Sequence, residues 1–152
     1  MVSKSFFNNN ENSNNENKNF LRSRSSSRRR IMMVDDEPDV NYTFENVLED
    51  NGFLVDSFIN PILALKSFKP RLYDLVIVDI KMPEIDGFKL YEEIMKIDSN
   101  VKVCFLTASE VFYEEYRALH SEIAKKHPII QKPIRNEDLI TQVNEILNLD
   151  SN

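Results

Sequence analysis

Five residues of this 152-residue chain have the types and positions to do chemistry together: Asp35, Asp36, Asp79, Thr107 and Lys132. Each stands at the end of an apolar run. Asp35 and Asp36 follow "RIMMV", Asp79 ends "LYDLVIVD", Thr107 ends "VKVCFLT", and Lys132 follows "PIIQ". A carboxylate at the end of a buried strand is costly unless something cationic meets it, because burial disfavours the charged form. Three carboxylates brought together repel, and clustered oxygen ligands suit Mg²⁺, which keeps some of its waters. Lys132 adds a fixed positive charge and Thr107 a hydroxyl. The backbone after Thr107, at Ala108, adds N–H donors. A divalent cation, an ammonium and a hydroxyl around one carboxylate make a phosphoryl site. Asp79 is its candidate nucleophile, forming an acyl phosphate.

The elements that must position these residues alternate. "RIMMV" is a short buried-strand pattern stopped by "DDEPD". "VNYTFENVLEDNG" then puts Val40, Phe44, Val47 and Leu48 on one helical face and closes on Gly52 as a C′ glycine. "FLVDSF" is a second strand. Asn60 and Pro61 open a second helix as N-cap and N1 residues. "LYDLVIVD" is a third strand. "FKLYEEIMKI" is a helix with Phe88, Leu90, Tyr91, Ile94, Met95 and Ile97 available for packing. "VKVCFLT" is a fourth strand, and "EVFYEEYRALHSEIAKK" reads as one helix whose Lys125 and Lys126 suit its negative end. "PIIQKP" holds a short fifth strand. "NEDLITQVNEILNL" is a last amphipathic helix, with Leu139, Ile140, Val143, Ile146 and Leu147 inward and Asn136 as its expected cap. Five β-α units with apolar strands predict an α/β fold: a five-stranded parallel sheet, doubly wound as (βα)5 in the flavodoxin-like manner. In that architecture the functional crevice lies at the carboxyl ends of the strands, where all five residues fall.

Composition bounds the rest. A hydrophobic fraction of 41% supports one core. No apolar run is long enough to span a bilayer, and the N-terminus lacks the apolar centre of a secretory signal, so the expected compartment is the cytoplasm. The single cysteine, Cys104, excludes an intramolecular disulfide and a cysteine zinc site, and its strand setting predicts a buried thiol. Charge is segregated. Residues 1–30 hold seven basic and two acidic side chains, net +5, whereas the remaining residues hold 12 basic and 23 acidic, net −11. Eight asparagines between Asn8 and Asn19, followed by "RSRSSSRRR", show no helical or strand period. Residues 1–29 therefore read as a disordered basic tail, and residues 30–152 as the folded domain. For the tail, a solvated linker competes with contact to nucleic acid, an anionic membrane, an acidic partner or its own acidic body.

The motifs "VDDE" (34–37), "VDIKMPEIDG" (78–87), "LTA" (106–108) and "QKP" (131–133) stand in the order and near the spacing of one family. Over residues 30–149 the chain resembles the response-regulator receiver domain of two-component signalling, of the stand-alone, chemotaxis-regulator-like kind. That resemblance implies that Asp79 accepts a phosphoryl group from a histidine kinase or phosphotransfer protein. It implies that Asp36 and Asp79 bind Mg²⁺, with the Lys81 backbone carbonyl as a further ligand and Asp35 helping through water. Lys132 would pair with a phosphoryl oxygen, and Thr107 would bond another and move on activation. Pro133 would follow a cis Lys132–Pro133 bond. Gly87, with Met82 and Pro83, would form the loop and helix start after the acceptor. Output would pass through contacts with a downstream protein or a homodimer, because only Asp150, Ser151 and Asn152 follow the last helix and leave no room for an effector domain; slow self-dephosphorylation rather than enzymatic turnover is expected.

The chain departs from the family at Ile129, where an aromatic residue often stands three positions before the lysine. The stretch from Thr107 to Lys132 is also a few residues longer than common, which bears on partner choice. A haloacid-dehalogenase-type phosphohydrolase would carry an acid two residues after the nucleophile, where this chain has Lys81. A docking module working without phosphorylation would not need the complete acidic cluster. A DNA-binding regulator would need more than the basic tail, since no helix-turn-helix is present. Glu37 and Asp86 read as helix-start and turn acids. His120 and His127 read as surface residues, and Tyr113 and Tyr116 as half-buried helix residues.

Overall fold

In the computed structural model the structure describes residues 28–148 except Ser109, with the backbone alone at residues 110–112. The expectations for the basic tail up to residue 27 lie outside the described residues.

Five strands form one parallel sheet: β1 (Arg30–Val34), β2 (Leu54–Phe58), β3 (Leu75–Asp79), β4 (Lys102–Thr107) and β5 (Ile129–Gln131). Their spatial order is β2-β1-β3-β4-β5, the flavodoxin-like order, with the topological switch between β1 and β3. The helices are α1 (Pro38–Asp50), α2 (Pro61–Ser67), α3 (Gly87–Ile97), α4 (Glu110–Leu119), α5 (Ser121–Lys126) and α6 (Asn136–Asn148).

Strand alternation divides the core into two layers. Met32, Val34, Val76, Val78, Val103 and Phe105 face α2 and α3, packing on Ala64, Phe88, Leu90 and Ile94. Their neighbours Ile31, Met33, Leu75, Ile77, Cys104 and Leu106 face α1 and α6, packing on Phe44, Leu48, Leu139 and Val143. Both faces of β3 are buried, which explains its unbroken apolar sequence. Burying each large side chain contributes roughly 1.5–3 kcal/mol. Cys104 lies in this core, and burial pushes its thiol up to about 12.

Local signals set the helix ends. Asn60 Oδ1 accepts from the backbone N–H of Ile62 at 2.8 Å and Leu63 at 3.2 Å, with Pro61 following. Asp86 Oδ1 accepts from Lys89 N at 2.8 Å, so this acid caps α3. Gly52, at φ +92°, is the left-handed residue after the Asn51 cap of α1.

Four expectations need correction. The helix expected over 110–126 is two helices, broken at His120, whose backbone leaves the helical region. The ring of His120 stacks on Phe88 at 4.3 Å, a tertiary contact with no local signal such as Gly or Pro. Both histidines are partly buried rather than on the surface. His127 Nε2 lies 3.0 Å from the Tyr91 hydroxyl and its ring meets Phe105 edge-on, while burial lowers its pKa. Asn136 is the first residue of α6 rather than its cap; the Arg135 carbonyl accepts from Leu139 N and closes the first turn. Ile97, expected to pack, is 41% exposed.

At the other end of the sheet from the five candidate residues, Arg30, Asp56 and Tyr73 form a cluster. Asp56 Oδ2 accepts from Arg30 Nε at 3.0 Å and from the Tyr73 hydroxyl at 2.8 Å. Burial pulls the Asp56 carboxyl up, but these bonds more than offset it and hold it below the usual range. A depressed carboxylate contributes stability above its unfolded pKa and loses it as pH falls through the folded value. Asp56→Asn therefore costs about 1 kcal/mol at pH 7 after allowance for exposure. In chemical denaturation the gap between wild type and variant should close toward pH 3.

Candidate functional site

The carboxyl ends of β1, β3 and β4, with the segment after β5, converge at the switch point. Asp35 follows β1 and is fully buried; Asp79 ends β3 at 5% exposure; Thr107 ends β4 at 4%. Asp36 is half-buried beside them. Asp35, Asp36 and Asp79 each place one carboxylate oxygen within 4.8 Å of the others. Lys132 Nζ stands 2.8 Å from Asp35 Oδ2, 3.5 Å from Glu37 Oε1 and 3.7 Å from Asp79 Oδ1. The lysine's shortest bond therefore goes to Asp35, not to Asp79. Glu37 stands at the N-cap of α1 as its sequence position suggests, but makes no side-chain cap bond and turns to Lys132 instead.

Backbone bonds lock the frame. Lys132 N donates to Thr107 O at 2.7 Å, tying the last strand end to the hydroxyl-bearing one. The Lys132–Pro133 peptide is cis, as the family resemblance implied. Ile80 N donates to Leu106 O at 2.9 Å, and Gly87 N donates to Ile80 O at 2.7 Å, so the loop after Asp79 returns against the strand end. Glu84 turns this loop with φ +71°.

Above these residues lies an open cleft of about 570 Å³ lined by Asp36, Asp79, Lys81, Thr107, Ala108 and Tyr116. Tyr116 is half-buried, as expected, and its ring packs 4.7 Å from Phe88. Ile129 packs into the core layer that holds Phe105, at the position where the family often has an aromatic ring.

The electrostatics show an unbalanced site. Burial first, and then the neighbouring Asp35, Asp36 and Glu37, push the Asp79 carboxyl up to about 7 against the opposing pull of Lys132. Burial likewise raises Asp35, although Lys132 opposes it. Lys132 itself is raised: burial would lower it, but the bond to Asp35 and its carboxylate neighbours outweigh that. One ammonium does not neutralise this group of acids. An all-oxygen donor set with excess negative charge and an open side fits a hard divalent cation that keeps waters, such as Mg²⁺.

Residues 31–144 match the response regulator receiver domain. The chain belongs to this family. The receiver domain is 29% identical over 120 residues to the chemotaxis protein CheY of Bacillus subtilis, covering 78% of this chain and 98% of that protein. It is also 29% identical over 123 residues to the probable transcriptional regulator ycf29 of Porphyra purpurea, covering 80% of this chain but 57% of that one. The chain thus spans little more than half of some curated relatives and nearly the whole of others. Among solved structures, the response regulator TrrA of Thermotoga maritima, in complex with Mg²⁺–BeF, is 33% identical with a TM-score of 0.65. That alignment covers 78% of this chain and 98% of TrrA. No described helix of the receiver domain is long and apolar enough to cross a membrane.

Proposed function

We propose that this receiver domain accepts a phosphoryl group on Asp79 in an Mg²⁺-dependent reaction. The donor is the phosphohistidine of a histidine kinase or phosphotransfer protein. One observation carries this reading: three carboxylates within 4.8 Å of one another share a cleft with Thr107, beside a lysine 2.8 Å from Asp35. The complex of the TrrA relative with Mg²⁺–BeF supports it.

A carboxylate oxygen of Asp79 attacks phosphorus. The bond from phosphorus to the donor's imidazole nitrogen breaks, and the electron pair leaves with the imidazole. The product on this chain is an acyl phosphate. Asp35, Asp36 and Asp79, with the Lys81 carbonyl, would hold Mg²⁺, which when bound neutralises phosphoryl charge. Lys132 is placed to shift from its carboxylates toward a phosphoryl oxygen. The Thr107 hydroxyl and Ala108 N–H are the donors for the others. Water attacking phosphorus would regenerate Asp79, so the signal is self-limiting. Signalling would follow from altered contacts with a downstream protein or a second copy, and the setting would be cytoplasmic. Lys81 lines the cleft where a haloacid-dehalogenase-type enzyme would need an acid, which argues against turnover of small esters.

The test is intact mass after incubation with acetyl phosphate. Wild type gains one phosphoryl group with Mg²⁺ and none in EDTA, and Asp79→Asn gains none in either. Failure of wild type with both acetyl phosphate and purified histidine kinases would leave a receiver fold that docks without phosphorylation.

A further inference from the structure

The inward row of α1 is Asn41, Phe44 and Leu48, and Asn41 is its one polar member. Helical spacing calls for an apolar side chain there. Asn41 is 4% exposed, and burying an amide is unfavourable unless its polar atoms are bonded. Both bonds made by its Nδ2 go to main chain at the edge of the site: 2.6 Å to Asp35 O and 2.9 Å to Phe58 O. Phe58 O also accepts from Asp35 N at 3.1 Å. The amide therefore closes a ring that fixes both backbone groups of Asp35.

The Asp35 carbonyl belongs to the peptide that leads into Asp36. Fixing that peptide plane fixes the direction in which Asp36 leaves the backbone. Among the described residues, the Asp36 side chain is in no hydrogen bond or ion pair, whereas Asp35 is held by Lys132 and by Glu37 N at 2.9 Å. The half-buried Asp36 carboxylate owes its place in the three-carboxylate group to its backbone. Among the described residues the Asn41 Oδ1 atom has no hydrogen-bond partner, so the side chain is retained at a polar cost that an apolar residue would avoid.

We infer that Asn41 is a positioning residue for the cation and phosphoryl site, acting through the Asp35–Asp36 peptide to keep the Asp36 carboxylate with those of Asp35 and Asp79. This rests on the reading of the site as a Mg²⁺-dependent phosphoryl acceptor.

The experiment is Mg²⁺ titration of the full chain, followed by backbone amide shifts, alongside thermal melts in EDTA. Asn41→Leu removes the donors and fits the apolar row. Asn41→Ala serves if the leucine variant does not fold. Phe44→Leu is the control, a core change one turn along the same helix. Asn41→Leu should weaken Mg²⁺ binding at least tenfold, with the largest loss of shift response at residues 35–37. Phe44→Leu should lower the melting temperature yet keep Mg²⁺ affinity within twofold of wild type. Asn41 variants that bind Mg²⁺ as wild type does would overturn the role while leaving the site reading intact. Wild type without saturable Mg²⁺ binding would overturn both.

Discussion

Replacing Lys132 by Met lowers the stability of the metal-free protein by about 3 kcal/mol, the usual scale when one partner of a buried ion pair is removed. The lysine side chain is 9% exposed and its closest partner, Asp35, is fully buried. Without the ammonium, Asp35 keeps the N–H of Glu37 but loses its cation, and Asp79 loses the pull of Lys132 that opposes the rise in its pKa. Saturating Mg²⁺ should recover part of the loss, because a ligand that binds only the folded state stabilises it. Lys132→Arg is not a conservative change, since a planar fork replaces a compact ammonium. Urea denaturation with and without Mg²⁺ checks this. Equal stability of Lys132→Met and wild type in EDTA would mean that the acids are already neutralised in another way.

The second large effect is expected at Gly87. This residue opens α3, and its backbone conformation is open to any residue. What demands glycine is proximity. A Cβ there would collide with the backbone carbonyl oxygen of Asp79 and lie 2.9 Å from Ile80 Cα. Both atoms belong to the main chain that carries Asp79, so neither can turn aside as a side-chain tip would. Gly87→Ala must therefore push the end of β3 or the start of α3. A cost of about 3 kcal/mol is expected, in the range of overpacking at a rigid site. Phosphoryl uptake should fall further than the lost stability explains, because the displaced atoms carry Asp79. Thermal melting and the acetyl phosphate reaction, measured on the same preparation, separate the two effects. An alanine variant with wild-type uptake would show that the proposed acceptor, Asp79, tolerates the shift.

Much of this site was legible before any coordinates. Each candidate side chain ends or follows an apolar run, and a doubly wound sheet gathers strand ends at one edge. Asp35, Asp36, Asp79, Thr107 and Lys132 therefore meet although 97 positions separate the first from the last. Pro61, Asn60 and Gly52 marked helix ends because capping is local chemistry. What the sequence hid is tertiary. The break at His120 comes from stacking on Phe88, and His127 finds Tyr91 from 36 positions away. Gly87 was expected at the loop and helix start after Asp79, but its close approach to the Asp79 backbone depends on how the loop folds back. Asn41 left a faint signal: a polar residue three positions before Phe44 and seven before Leu48, on the face that should be apolar.

The most direct test of the account is to locate the phosphoryl group. After reaction with acetyl phosphate and Mg²⁺, borohydride reduces an aspartyl phosphate to the alcohol, leaving a stable homoserine that peptide mass mapping can place. The account predicts one such residue, at position 79, absent when Mg²⁺ is chelated. Reduction at position 35 or 36 instead, or phosphate recovered on a serine or histidine, would contradict the assignment of Asp79 as the acceptor.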